Sequence, residues 1–435
     1  MTNKKYDSRY WWIALSIFLL ALIARAGMAL WMPDEIVWDD GHRYEKVAMN
    51  LLAGEGFGGF KDNARSVPTQ PVIIAAIYSV FGRDYTILRL FFAGLGALTC
   101  VLAFALGTEL FGRTVGILAG FLLALYPYYV YLFTLFEYPQ PFFVFVMACF
   151  FLLLYLYSDR RRVLYILTAG ICLGLGILSV PTVLLYVPLL LLWLVVQPII
   201  RDHRVKAPFV LLIGVMIPLA PWTIRNYLAY DHFVLVNSAG GFAFWSSNNE
   251  TYYRHGKKAV VYPCQPPYQD TVFCREKTRV QNEFKTEELG SIERELEKER
   301  LYWLKGLSFI KDDPARFLEI TVYRFAELWS PFPNPVSKGK GRFEKIRNLI
   351  ALISYTPVLL LAIGGFVKSI GSWRRLMPIY LYCFTFSMVY SIFLPATRYR
   401  LPLDFFLIFF AAYMLFIIWQ SKTIRSVIRV RPEKR

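Results

Sequence analysis

The chain has 435 residues, of which 56% are hydrophobic, 17% aromatic and only 18% charged, at a mean hydropathy of +0.42. Soluble proteins carry nearer ~25% charged residues, so the composition excludes an ordinary soluble enzyme. Repeated apolar runs long enough to cross about 30 Å of hydrocarbon indicate an all-α polytopic membrane protein. The net charge of +17 does not mark a nucleic-acid binder, because its location assigns it to topology.

Basic residues cluster in short links: Lys4/Lys5/Arg9, Arg113, Arg160–Arg162, Arg201/Arg204/Lys206, Lys368/Arg374/Arg375, and the tail from Lys422 to Arg435. By the positive-inside rule these links and both termini are cytoplasmic, and the longer loops of mixed sign face outward. The expected home is the plasma (inner) membrane. Ala24-Arg25-Ala26 imitates a signal cleavage site. The arginine inside it and the apolar run that continues to Trp31 favour a retained first span.

In chain order, span one covers about 10–31. The first outward loop, 32–70, carries an amphipathic helix with Tyr44, Val47, Ala48, Leu51 and Leu52 on one face, ended by the glycine-rich Gly54–Gly59 run. Residues 71–82 form an apolar helix too short to span, placed along the interface. Further spans follow at about 85–111, 114–133, 138–157, 163–180, 182–199 and 207–224, completing an N-terminal membrane part, 1–224. One large outward segment, 225–348, holds a charged helix near 283–311. A second helix there is announced by Asp313-Pro314 as N-cap and first helical position. Spans near 349–367, 376–394 and 401–419 and a basic tail complete the C-terminal part, 349–435. The total is about ten transmembrane helices.

Cys100, Cys149, Cys172 and Cys383 fall in apolar spans and read as packing residues. Cys264 and Cys274 lie close together in the large outward segment, where an oxidising surrounding favours a disulfide over a metal pair.

Four polar clusters share the outward side: Asp39/Asp40/His42/Arg43; Glu137; Trp222 to Tyr227 with Asn248 and Asn249; and Thr397 to Arg400. Carboxylates beside arginines at a membrane lip suit a substrate with a phosphate head and a hydrophobic tail. Guanidinium forks onto phosphate, and a carboxylate takes a proton from an attacking hydroxyl.

Asp40-Gly41-His42-Arg43-Tyr44, followed by Asn50-Leu51-Leu52-Ala53-Gly54-Glu55-Gly56, resembles the first-loop signature of the GT-C membrane glycosyltransferases. The similarity is to bacterial glycosyltransferase family 39, related to protein O-mannosyltransferases and the lipid A aminoarabinose transferase. Pro68-Thr69-Gln70-Pro71, Ala124-Leu125-Tyr126-Pro127 leading to Glu137, Pro221 to Tyr227 with Asn237 to Gly241, and Arg398-Tyr399-Arg400-Leu401-Pro402 follow in family order. One departure is Ser246-Ser247 before Asn248-Asn249, where the family commonly has a glycine. The resemblance covers about 32–410, least well over 250–345.

It implies a polyprenyl-phosphate-linked sugar donor, an extracytoplasmic reaction with inversion, and a first-loop aspartate as base. Residue-by-residue matching puts that base at Asp40, with Asp39 as a possible second acid. Arg225, Arg398 and Arg400 are the candidate phosphate ligands; Glu137, Arg43, Asn226, Asn248 and Asn249 are candidate substrate contacts. The acceptor would be a hydroxyl on a glycolipid, glycan or protein. No nucleotide and no obligatory cofactor is needed, though His42 beside the carboxylates would tolerate a divalent metal. The bland readings are an N-cap role for Asp40, a helix-end charge at Glu137, and membrane anchoring by the arginines. Arg25 would face the cavity or pair with a carboxylate. The rival function is a transporter or flippase of a lipid-linked saccharide.

Overall fold

The computed structural model describes residues 7–37, 39–57, 66–196, 206–261, 264–284, 291–332 and 342–429, and among them every regular element is a helix. In order these are α1 (Ser8–Trp31), α2 (Asp39–Leu52), α3 (Thr69–Phe81), α4 (Tyr85–Phe111), α5 (Arg113–Leu125), α6 (Pro127–Leu132), α7 (Gln140–Arg160) and α8 (Val163–Ser179). A 3-10 turn at Pro181–Tyr186 leads into α9 (Val187–Val196), followed by α10 (Lys206–Tyr230). The intervening segment holds α11 (Gly240–Ser247), α12 (Glu250–His255), α13 (Lys257–Val261), α14 (Val272–Glu283), α15 (Ser291–Asp312) and α16 (Pro314–Leu328). Last come α17 (Arg342–Ser369), α18 (Trp373–Ile392) and α19 (Thr397–Arg429). Trp38, the basic pairs Lys4/Lys5 and Arg201/Arg204, and the end of the tail lie outside the described residues.

Among the described residues six apolar segments are long enough to cross a bilayer, and one of them, 348–392, takes in most of α17 and all of α18. Shorter apolar helices at Arg113–Leu125, Val163–Ser179 and Pro181–Val196 fill in between. Counting these gives the ten segments the sequence leads one to expect, but not ten full-length spans. Proline is the reason at α5: Pro127 has no N–H, so the helix stops after 13 residues and restarts as α6 with Pro127 at its first position.

That break explains Arg25. The Leu123 carbonyl would ordinarily receive the N–H of residue 127, which is a proline. Arg25, fully buried in α1, donates instead to Leu123 O (3.1 Å) and Ala124 O (3.0 Å). A cation at a helix C-terminus is also favoured by the dipole. The expectation of a cavity-facing or carboxylate-paired Arg25 is thereby corrected: its partners are carbonyls.

Elsewhere the bundle closes through small residues. A Cβ on Gly170 of α8 would meet Leu211 O at 2.3 Å and the Gly214 Cα at 2.8 Å, so α8 and α10 touch backbone to backbone. The interfacial helix starts earlier than Pro71, because Thr69 and Gln70 are already helical and buried. Thr69 Oγ1 hydrogen-bonds Ser179 Oγ at 2.8 Å, and the Gln70 amide donates to Phe136 O.

The segment between α10 and α17 has its own apolar cluster, including Trp245, Tyr252, Phe273, Tyr302 and Ile320. Trp245 stacks on Tyr302 with centroids 5.2 Å apart. The charged helix begins at Ser291 rather than near 283, since residues up to Glu283 belong to the separate α14. Asp313 caps α16 by accepting from Arg316 N (3.1 Å), with Pro314 in the first position. Cys264 and Cys274 are joined in a disulfide. Closing this short loop is worth about 2–3 kcal/mol of chain entropy. The expected result is a gel-mobility shift on reduction that Cys264→Ser abolishes.

Candidate active site

The site begins at the N-terminus of α2. The helix opens at Asp39, so Asp40 stands within the first turn and does not cap a helix starting near His42. The Asp39 side chain lies outside the described residues. Asp40 is held between two guanidinium groups: Arg43, one turn on, at 3.5 Å from Oδ1, and Arg398, from the start of α19, at 3.3 Å from Oδ2. All three keep between 30 and 39% of their side-chain surface exposed, so the cluster is open to solvent.

Behind it sits Glu137, fully buried in the loop between α6 and α7. Its Oε1 accepts from Val37 N at 3.0 Å, while Oε2 is buried without a hydrogen-bond partner. Burial pushes the Glu137 carboxyl pKa above the usual carboxylate range, although the Val37 N–H, Arg89 and His42 pull the other way. Gly41 makes the close approach feasible: a Cβ there would lie 2.5 Å from the Glu137 Cγ and 2.8 Å from Ile36.

For a carboxyl whose folded pKa is raised, the stabilising contribution is complete below its unfolded value near 4.5 and is lost as pH rises through the folded value. Glu137→Gln keeps the acceptor for Val37 and removes the charge. It should therefore flatten the fall in stability as pH rises from acid, as thermal unfolding across a pH series would record. A fall as steep as that of the parent would show that Glu137 is not responsible.

Arg398 lies in an aromatic frame, with its guanidinium carbon 4.5 Å from the Tyr138 ring centroid and 5.1 Å from that of Tyr399. Tyr399 in turn stacks on Tyr390 of α18, 4.6 Å away and nearly parallel. These contacts orient the cation, and one of its N–H groups also donates to Tyr399 Oη at 3.3 Å. The first loop, the aromatic loop and the α19 lip therefore converge.

Arg400 does not join them. It is 3% exposed, pairs with Asp404 at 3.1 Å, donates to Leu328 O (3.1 Å) and Ser330 O (2.5 Å), and covers Tyr355. Its guanidinium fastens the end of α16 to α19, away from the Asp40 cluster, where a phosphate ligand was expected. The three asparagines expected to contact substrate are likewise engaged within the protein. Asn226 donates to Val234 O and Val236 O, pinning that turn to α10. Asn248 bridges Phe244 O and Ile392 O while accepting from Arg324, and Asn249 caps α12 through Tyr252 N. All three side chains are buried and paired.

Arg225 stands among Phe57, Trp222 and Tyr230, each ring centroid 5.2 or 5.3 Å from its guanidinium carbon. It donates to Tyr230 Oη and Asn226 Oδ1. Phe57 brings the first loop to the end of α10, although among the described residues no contact joins Arg225 to Asp40.

Several residues went unrecognised in the sequence. Glu45 accepts from Tyr78, Arg83 and Tyr85 and so fastens α2 to α3 and α4. Buried Arg89 donates to Pro33 O and Glu35 O, both at 2.6 Å, fixing the chain that leads into α2. Lys257 lies 3.5 Å from Glu327 and donates to Pro395 O. Burial lowers its pKa against the pull of Glu327, and the positive charge of Arg398 lowers it further. An arginine one turn into a span was the available signal for Arg89; Tyr138 and Lys257 had none beyond their neighbours.

Residues 65–224 match the family described as dolichyl-phosphate-mannose-protein mannosyltransferase. No curated protein sequence matches the chain. In structure it resembles the oligosaccharyltransferase of Archaeoglobus fulgidus in the apo form, with TM-score 0.56 and 14% identity, over 99% of this chain and 53% of that one. The same enzyme tethered to an acceptor peptide containing the NVT sequon gives 0.56 and 13%, over 95% and 50%. ArnT from Cupriavidus metallidurans bound to undecaprenyl phosphate gives a looser 0.44 and 12%, over 94% and 78%. The chain thus spans about half the length of the archaeal enzyme.

Proposed function

We propose that this chain, which has the fold of the GT-C membrane glycosyltransferases, transfers a sugar from a polyprenyl-phosphate donor to a hydroxyl acceptor on the extracytoplasmic side. The observation that carries the reading is Asp40 suspended between Arg43 and Arg398 at an open lip, with Glu137 buried behind. The family matched over residues 65–224 supports a lipid-phosphate sugar donor.

In this mechanism Asp40 takes the proton of the acceptor hydroxyl as its oxygen attacks the anomeric carbon. The bond from that carbon to the phosphate oxygen breaks, and the lipid phosphate leaves with inversion. Negative charge grows on the phosphate, so Arg398 stabilises the transition state more than the ground state. Its present partner, Asp40, becomes neutral on taking the proton, which frees the guanidinium at the moment the leaving group needs it. Arg225, in its aromatic cage, is assigned a second donor contact, and Arg43 holds Asp40 from the other side. The flippase alternative gains no support, because Arg25, Arg89 and the Arg400–Asp404 pair are engaged by carbonyls and by each other.

The test is purified full-length protein with a panel of polyprenyl-phosphate sugars and crude envelope acceptors, following labelled sugar. Transfer from at least one lipid-linked donor is the expected result. Movement of intact lipid-linked sugar across vesicles, with no transfer to any acceptor, would replace this reading with the flippase.

A further inference from the structure

Helix α16 presents two unlike faces. Ile320, Arg324 and Leu328 are buried. Ala315, Leu318, Val322, Phe325 and Ala326 are exposed and fall within an arc of about 100° on a helix of 3.6 residues per turn. Leu318, Val322 and Phe325 keep 62, 60 and 41% of their surface. No charged residue interrupts the arc. Polar groups border one edge: Glu319, which accepts from Tyr253 Oη, and Arg316, paired with Glu250 at 2.9 Å.

The position of this face identifies what covers it. Arg324 donates to Ile392 O (2.8 Å), the last residue of α18, and Arg400 donates to Leu328 O at the start of α19. Two buried arginines therefore hook α16 onto the ends of two helices long and apolar enough to cross a bilayer, where the chain passes from one to the other. Past α16, Phe332 is 54% exposed, and α17 continues the outward apolar surface with Leu349 and Ile353.

We infer that α16 lies flat in the membrane interface, with its Leu318–Val322–Phe325 face immersed among phospholipid acyl chains and Arg316 at headgroup level. A helix with this segregation binds a lipid surface in that posture. Hooked at the same level as the α19 lip, it sets the depth of Arg398 relative to the headgroups. The inference needs only the fold and holds whatever the reaction is.

The full chain is reconstituted in phosphatidylethanolamine/phosphatidylglycerol vesicles with p-benzoylphenylalanine replacing Leu318 or Val322, and irradiated. Ile213, exposed on α10, is the lipid-facing reference, and Arg279, on the polar outer face of α14, the aqueous one. Phospholipid adducts at Leu318 and Val322 matching Ile213, with none at Arg279, are expected. Adducts of dimer size would assign the face to a second copy of the chain and overturn the inference, as would yields no higher than at Arg279. A smaller probe guards against misfolding: Val322→Cys should react with a water-soluble maleimide far more slowly than Arg279→Cys, and equal rates would likewise overturn it.

Discussion

Replacing Asp40 by Asn is expected to lower sugar transfer by about 10²–10⁴-fold, the range for loss of a general base, while the protein still folds and inserts. Asn preserves the size of the side chain and can still accept a hydrogen bond from Arg43 or Arg398. It cannot accept the acceptor's proton at neutral pH. The two arginines that lose their counterion remain partly exposed, so water compensates them and stability should change little. The measurement is the initial rate of labelled transfer, with thermal unfolding of the same preparation alongside. Undiminished activity would remove Asp40 from the mechanism; lost activity with lost stability would make it structural.

The second large effect is on stability. Arg400 and Asp404 are almost completely buried, and breaking such a pair by removing one partner costs about 3–5 kcal/mol. Arg400→Met should do so and also strip the Leu328 and Ser330 carbonyls of their donor, loosening α16. Arg400→Met/Asp404→Leu should recover part of the loss, because an apolar pair leaves no uncompensated charge. Thermal unfolding of the three variants in detergent, with limited proteolysis near α16, reads both. A double variant no better than Arg400→Met would locate the cost in the carbonyls and not in the ion pair.

Much of the fold was legible because hydrophobic periodicity and punctuation report local structure directly. The apolar runs, the amphipathic first-loop helix and the Asp313-Pro314 start all depend on neighbours in sequence. The failures share one cause. Arg398 and Arg400 look interchangeable in T-R-Y-R, yet two positions on a helix point about 200° apart; one meets Asp40 and the other Asp404. The asparagines look equally available until the turn each one secures is seen. Glu137 reads as a substrate contact at the lip, but its burial depends on Gly41, distant in sequence. Pattern tells which residues are polar at a lip, and only tertiary neighbours tell which are already occupied.

The Asp40–Arg398 contact also carries a consequence for biogenesis. Its two partners come from the first loop and from the last of the described spans. Chains emerge from the ribosome N-terminus first, so an unfinished chain lacking α19 contains Asp40, Arg43 and Glu137 but none of the charge that Arg398 supplies. The Asp40–Arg398 contact therefore forms late, when α19 inserts beside the helices already in place. Until then Asp40 has Arg43 alone as its counterion, and the pair of guanidinium groups around it is incomplete.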